Sequence, residues 1–186
     1  MRSRGSLGRG ETIRLFYGLP VPADAAAELG EWASRTFSSA PRVRAIAPAH
    51  LHVTLAFLGS RPAGELAALR KALREAAKAV ERPLLEPARY RETERVAMIV
   101  FDDEGGRAAL LQERLSTRLE RLGAYRPERR PWLPHVTVAR FAERPRLRAP
   151  LPALGELSPS DAALYHSVLR PDGAQYTVLE AVSLGG

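Results

Sequence analysis

One tripeptide occurs twice in this 186-residue chain: His52-Val53-Thr54 and His135-Val136-Thr137. Each copy runs into an aliphatic residue, Leu55 and Val138, and each opens a short apolar stretch that reads as a strand. Side chains alternate between the two faces of a strand. His52 and Thr54 therefore point one way while Val53 and Leu55 point the other, and the second copy repeats the arrangement. The copies lie 135 − 52 = 83 residues apart. A fold that accommodates both must bury two aliphatic strand faces and present two imidazole–hydroxyl pairs on the opposite face.

The rest of the chain supplies elements to do this. Thr12–Leu19 reads as a strand closed by Pro20 and Pro22, and 23–37 as a helix with Leu29 and Trp32 on its buried stripe. Val43–Ile46 and Leu51–Leu58 read as strands, the second ended by Gly59. Residues 62–80 read as a helix with Leu66, Leu69 and Leu73 at spacings of three and four. Strands follow at 84–90 and 95–101. A third helix at 107–122 is stopped by Gly123. His135–Phe141 is a strand, 144–159 a proline-rich loop, and 162–169 and 176–182 a closing pair around Pro171-Asp172-Gly173. The order alternates strands and helices with several antiparallel pairs, an α+β pattern. It divides near residue 93 into two halves, each with one HVT strand. Residues 1–11, polar and Gly-rich with three arginines, read as a flexible N-terminal tail, and 12–186 as a single bilobal domain.

Composition removes several function classes. There is no cysteine, hence no disulfide framework, thiolate metal site or cysteine nucleophile. No apolar run is long enough to cross a membrane, and the N-terminus lacks an apolar signal core, so a cytoplasmic protein is expected. Neither a G-x-S-x-G elbow nor a phosphate-binding P-loop is present. The formal net charge is +7, with 28 Lys+Arg; all but Lys71 and Lys78 are arginine. Between 126 and 148 seven arginines stand against Glu128 and Glu143, a local excess that suits an anion.

Two imidazoles and two hydroxyls facing one cleft suit an in-line displacement at phosphorus. A neutral imidazole takes a proton from the attacking oxygen, and a protonated one gives a proton to the leaving oxygen. The hydroxyls donate to the nonbridging oxygens, where charge builds up. A strained cyclic phosphodiester would need no metal. His50-Leu51-His52 also places two imidazoles on one strand face, which leaves a zinc reading open, although no helical His/Glu motif supplies further ligands.

The flanking residues carry a resemblance. Arg14-Leu15-Phe16 with Leu19-Pro20, Leu51-His52-Val53-Thr54-Leu55 with Phe57-Leu58-Gly59, Pro134-His135-Val136-Thr137-Val138-Ala139-Arg140, and the spacing of Ser167, Leu169, Pro171, Gly173 and Tyr176 together resemble the two-histidine phosphoesterases. Within that group the chain looks like the LigT-like RNA 2′,3′-cyclic phosphodiesterases, also called 2′-5′ RNA ligases, over residues 12–184. The resemblance implies a bilobal α+β fold: two antiparallel sheets with flanking helices, related by a pseudo-twofold around a central cleft. It implies metal-independent hydrolysis of RNA 2′,3′-cyclic phosphate ends to 2′-phosphomonoesters, with no cofactor, and 2′-5′ RNA ligation in reverse. By matching position His52 would be the general acid and His135 the general base. Thr54, Thr137 and Arg140 would hold the phosphate, and Phe16 would lie against the ribose or base.

Arg140 poses a geometric problem. It lies five residues after His135, so strict alternation puts it on the wrong face unless the strand ends or bulges near Ala139. Trp132 reads as loop packing or as a stacking surface. His166, beside Ser167, carries no assigned chemistry. The expected partner is RNA bearing a 2′,3′-cyclic phosphate end, with no membrane and no protein partner; a monomer is expected. Two other readings remain: a phosphodiesterase for a small cyclic phosphate, such as an ADP-ribose cyclic phosphate or a cyclic nucleotide, and a non-catalytic binder of RNA ends.

Overall fold

The computed structural model describes residues 11–40, 42–170 and 173–185. The expected tail lies outside these residues except for Glu11, whose carbonyl accepts the Ala63 N–H at 2.9 Å. Pro171 and Asp172 of the expected turn also lie outside them. The elements run β1 (Thr12–Pro20), α1 (Ala23–Thr36), β2 (Val43–Ala45), β3 (His52–Pro62), α2 (Leu66–Ala77), β4 (Leu84–Glu92), β5 (Val96–Glu104), α3 (Arg107–Arg121), β6 (His135–Phe141), β7 (Asp161–Arg170) and β8 (Gly173–Ser183).

The strands form one antiparallel sheet in the order β4-β5-β6-β3-β1-β7-β8, with β2 paired to β6. The two antiparallel sheets expected from the sequence are its two halves. One is β3-β1-β7-β8; the other is β4-β5-β6 with β2. They join where β3 meets β6, through a single residue pair, Val53 opposite Val136. The middle residues of the two tripeptides thus meet at the seam.

The sheet curls. Arg44 on β2 belongs to one half, yet its guanidinium reaches the β7–β8 hairpin of the other. A Cβ placed on Gly173 would lie 3.3 Å from the Arg44 Nη1. Gly173 has φ +137°, in a region that favours glycine. A side chain there would crowd the Arg44 guanidinium by a few tenths of an ångström.

All three helices cover the face that carries Val53, Leu55, Val136 and Val138. α1 packs near β2 and β6, α2 against β7, β8 and α3, and α3 against β3 and β5. Leu29, Leu69, Leu73, Leu111, Leu115 and Leu119 join those valines in one buried core. Tyr17, fully buried on β1, donates its hydroxyl to the Leu69 carbonyl of α2 at 3.1 Å. The opposite face of the sheet carries no helix among the described residues, and its small apolar cluster of Phe16, Ala163 and Tyr165 is separate from the main core.

The strand at 51–58 does not stop at Gly59. β3 continues to Pro62, and the pairing with β1 slips by one residue between Leu15 opposite Gly59 and Phe16 opposite Phe57. Gly59, at φ +66°, works here as a bulge residue rather than a terminator. The second helix starts later than its pattern suggests, because 63–65 forms a tighter 3₁₀ turn, and it ends before Ala79, which sits at φ +55°.

Candidate active site

β3 and β6 run antiparallel with Val53 opposite Val136. That register sets His52 opposite Thr137 and Thr54 opposite His135. Opposed residues of an antiparallel pair share a face, so all four side chains lie on the helix-free face around the seam. Each is half-buried, while Val53 and Val136 are fully buried on the other side.

Both imidazoles are held in the same way. His52 Nδ1 donates to the His50 carbonyl at 2.7 Å, and His135 Nδ1 donates to the Leu133 carbonyl at 2.8 Å. A carbonyl can only accept, so Nδ1 carries the proton in each ring. This leaves both Nε2 atoms for chemistry, as a lone pair in the neutral ring or as N–H in the charged one.

The same irregularity follows each tripeptide. β3 carries an extra residue at Leu55, between Tyr17 opposite Ala56 and Gly18 opposite Thr54. β6 carries one at Val138, between Ala97 opposite Ala139 and Met98 opposite Thr137. The bulge places two consecutive residues against the core, Leu55-Ala56 and Val138-Ala139, all buried. The alternation is then reversed, and Arg140 emerges on the face of His135 and Thr137. The bulge that Arg140 requires is present. In β3 the corresponding position is Phe57, which is 48% exposed.

A cleft of about 500 Å³ opens on this face. Its lining includes His52, Thr54, Phe16 and Arg140, together with Arg14, Arg44, Arg170, His50, Ser167 and Tyr176, and it contains no carboxylate among the described residues. His135 and Thr137 stand beside it across the seam and do not line it. The positive charge has a different origin from that suggested by the arginine-rich stretch at 126–148. Of that stretch only Arg140 lines the cleft; Arg144 pairs with Glu92 and Arg130 with Glu128. The remaining cleft arginines come from β1, β2 and β7.

Phe16 lies next to His52, with ring centroids 4.7 Å apart, and stacks on Tyr165 at 4.8 Å. It is only 3% exposed, so its ring is engaged by protein neighbours. The aromatic surface open at the cleft belongs to Phe57 and to the half-buried Tyr176, which meets Phe16 edge-on at 4.9 Å. Both residues stand in the family-like stretches of the chain, but residue order does not mark them as cleft residues. An aromatic at a strand position gives no sign of which face a bulge will turn it to. His50 sits on a short 3₁₀ turn at 48–50, ahead of β3 rather than on it, with its ring 4.8 Å from Tyr176.

Burial pushes the His52 pKa down to about 4, with the positive charge of Arg140 and the neighbouring His135 and His50 adding to the effect against the hydrogen bond to the His50 carbonyl. On its own the protein therefore holds His52 neutral near pH 7.

Trp132 packs in the loop before β6 and donates its indole N–H to the Thr54 carbonyl at 3.0 Å. It ties the approach to the second tripeptide to the backbone of the first. Trp132→Phe keeps most of the ring and removes this bond. The expected loss is about 1 kcal/mol, read as a lower urea midpoint at unchanged m-value; an unchanged midpoint would show that the bond contributes nothing net.

The curled antiparallel sheet, its two matched histidine strands and the arginine-lined cleft define a two-histidine α+β fold. Residues 21–169 match the model of the 2′-5′ RNA ligase superfamily, and the chain belongs to that superfamily. It is 33% identical over 187 residues to an RNA 2′,3′-cyclic phosphodiesterase of Thermus thermophilus, covering 94% of this chain and 91% of that one. A crystal structure of a Thermus thermophilus protein superposes with TM-score 0.79 at 32% identity, over 94% of this chain and 99% of the other. Escherichia coli LigT in its apo form gives TM-score 0.79 at 24% identity, over 95% and 100% of the two chains, a likeness of fold.

Proposed function

We propose that this protein is an enzyme that opens 2′,3′-cyclic phosphate ends of RNA to 2′-phosphomonoesters, and that it joins RNA ends through a 2′-5′ linkage when the reaction runs in reverse. The observation that carries this reading is the pairing of the two tripeptides across Val53 and Val136, with both Nδ1 atoms locked onto carbonyls. Membership of the superfamily and the similarity to the Thermus phosphodiesterase support it.

In the proposed reaction the cyclic phosphate lies over the seam between the two imidazoles. Water attacks phosphorus in line with the 3′ oxygen. His135 Nε2 takes the proton from water, and His52 Nε2–H gives one to O3′ as the P–O3′ bond breaks, leaving the phosphate on O2′. Thr54 and Thr137 donate to the nonbridging oxygens, and Arg140 balances their charge.

The low pKa of His52 is that of the protein without substrate. A phosphate anion beside it offsets the Arg140 charge and favours the imidazolium. Once charged, an imidazolium in this setting is a strong proton donor. Phe16, packed against the ring, holds it in place.

The test is an EDTA-treated assay with a short RNA ending in a 2′,3′-cyclic phosphate, resolving 2′- from 3′-phosphate. Conversion to the 2′-phosphate is expected. A 3′-phosphate product would reverse the assigned leaving oxygen, and loss of activity on chelation would overturn the metal-independent reading. Binding without conversion would make the protein an RNA-end binder.

A further inference from the structure

A second cavity, of about 340 Å³, adjoins the arginine-lined cleft. The two share His50, His52 and Tyr176, so the proposed acid stands on the boundary between them. Their chemistry differs. The cleft is lined by arginines, whereas the described lining of the second cavity has no arginine, lysine or carboxylate. Its walls are Pro20, Val21, Ala26, Pro48 and Leu51, with Tyr165 beside them. These walls are fixed. The Val21 N–H donates to the Leu51 carbonyl at 3.1 Å, tying the exit of β1 to the entry of β3. A Cβ on Gly30 would lie 2.7 Å from Pro48 Cγ, so it is glycine that lets α1 seat against the 48–50 turn. The volume falls in the range of small-ligand sites, about 300–1,000 Å³.

We infer that this cavity binds the nucleobase of the nucleotide that precedes the RNA end. The inference rests on the function proposed above and extends it to a second nucleotide. His52 gives its proton to O3′, which places the C3′ side of the terminal ribose at that ring. From C3′ the chain continues through C4′, C5′ and O5′ to the preceding nucleotide, whereas the terminal base is carried on C1′, on the O2′ side. The path upstream therefore leaves the cleft past His52, where the second cavity begins. An apolar cavity without charged walls suits a flat base and not a phosphate. His50 and Tyr176, whose rings lie 4.8 Å apart, line both cavities and supply aromatic surface at the crossing. Stacking on such surface is open to every base. The preceding position is thus read for the presence of a base, with little regard to which base it is.

The experiment measures kcat/KM on two dinucleotides that end in the same 2′,3′-cyclic phosphate, one with a base on its first ribose and one abasic there. The wild type is expected to prefer the base-bearing substrate roughly tenfold, the order of one base–aromatic contact. Ala23, at the start of α1, and Ala49, on the 48–50 turn, are exposed and line the cavity, so a larger side chain at either fills it from the surface. Ala23→Trp and Ala49→Trp are each expected to bring the ratio close to one. Both substrates meet the same protein, so any loss of folded variant cancels in the ratio. Equal wild-type rates on the two dinucleotides would overturn the assignment. A preference that survives both substitutions would overturn it too, by placing the base elsewhere. Both of those outcomes still show conversion and leave the proposed activity standing. A wild type that converts neither dinucleotide would instead sink the proposed activity itself, and this assignment with it.

Discussion

Replacing either His52 or His135 by alanine is expected to lower kcat roughly 10²–10⁴-fold, and replacing both to cost little more than replacing one. The two rings sit on opposed strands at one seam, each with Nδ1 committed to a carbonyl and Nε2 outside that bond. An acid and a base that act on one displacement form a unit, and units lose most of their effect when the first member goes. Neither ring belongs to the main core, so the variants should keep the wild-type far-ultraviolet spectrum. Single-turnover rates on an RNA cyclic phosphate end decide the matter. A variant that keeps near-normal kcat would end the paired acid–base model. Losses that multiply in the double variant would show two residues acting independently.

The second large effect lies outside the cleft. Glu92 ends β4 with its side chain only 2% exposed. Its carboxylate accepts from the Tyr90 hydroxyl at 2.7 Å, Arg144 Nε at 3.0 Å, and the backbone N–H groups of Arg146 and Leu147 at 3.0 and 2.8 Å. Arg146 is held at φ +56°, a conformation unfavourable for a side-chain-bearing residue. Glu92 is what fixes the 144–147 loop against the sheet. Glu92→Ala leaves these donors without their acceptor, and a loss of about 3 kcal/mol is expected, measured by denaturant unfolding.

The pH dependence has a definite sign. Burial opposes ionisation of Glu92, but the hydrogen bonds from Tyr90, Leu147, Arg144 and Arg146 outweigh it and hold the carboxyl below its usual range. As pH falls, the unfolded chain takes up this proton first, so the Glu92 contribution is present above the ordinary carboxylate range and fades below it. The deficit of Glu92→Ala should shrink with acidification; a deficit constant from pH 7 to 3 would refute the ionised network. His52 works in the same direction at higher pH. Its folded pKa of about 4 lies below that of an unfolded histidine, so stability falls as pH drops from about 6.5 toward 4, by at most roughly 3 kcal/mol. His52→Ala should lack that upper part of the acid loss.

Much of this architecture could be read from residue order, because its periodicities are local. The span 135–141 is a strand as its pattern indicates, and leucines three and four apart mark α2 and α3 correctly. The shared face of His52 and Thr54 follows from alternation alone. What alternation cannot supply is a break in itself. The bulges at Leu55 and Val138 depend on how β3 and β6 register against β1 and β5, which are pairings between distant segments. Those bulges decide that Arg140 and Phe57 face the cleft. The arginine run at 126–148 misled for a related reason: charge density along the chain does not say which guanidiniums are taken by Glu92 and Glu128. Conversely, Arg14, Arg44 and Arg170 are scattered in sequence and gather only because the sheet curls.

The single contact pair at Val53 and Val136 has one more consequence. It lies where a twofold axis would cross the sheet, and the strands on either side carry the same tripeptide, the same carbonyl anchor and the same bulge. Two identical half-length chains meeting at such a valine would already bring together two imidazoles and two hydroxyls, but every other group would also come in equal pairs. Covalent linkage of the halves removes that constraint. One strand can carry Arg140 where its counterpart carries Phe57, and one imidazole can lie beneath aromatic rings while the other does not. A substrate with two chemically different ends can then enter in one orientation only. Continuity of the chain gives this catalyst its sense of direction.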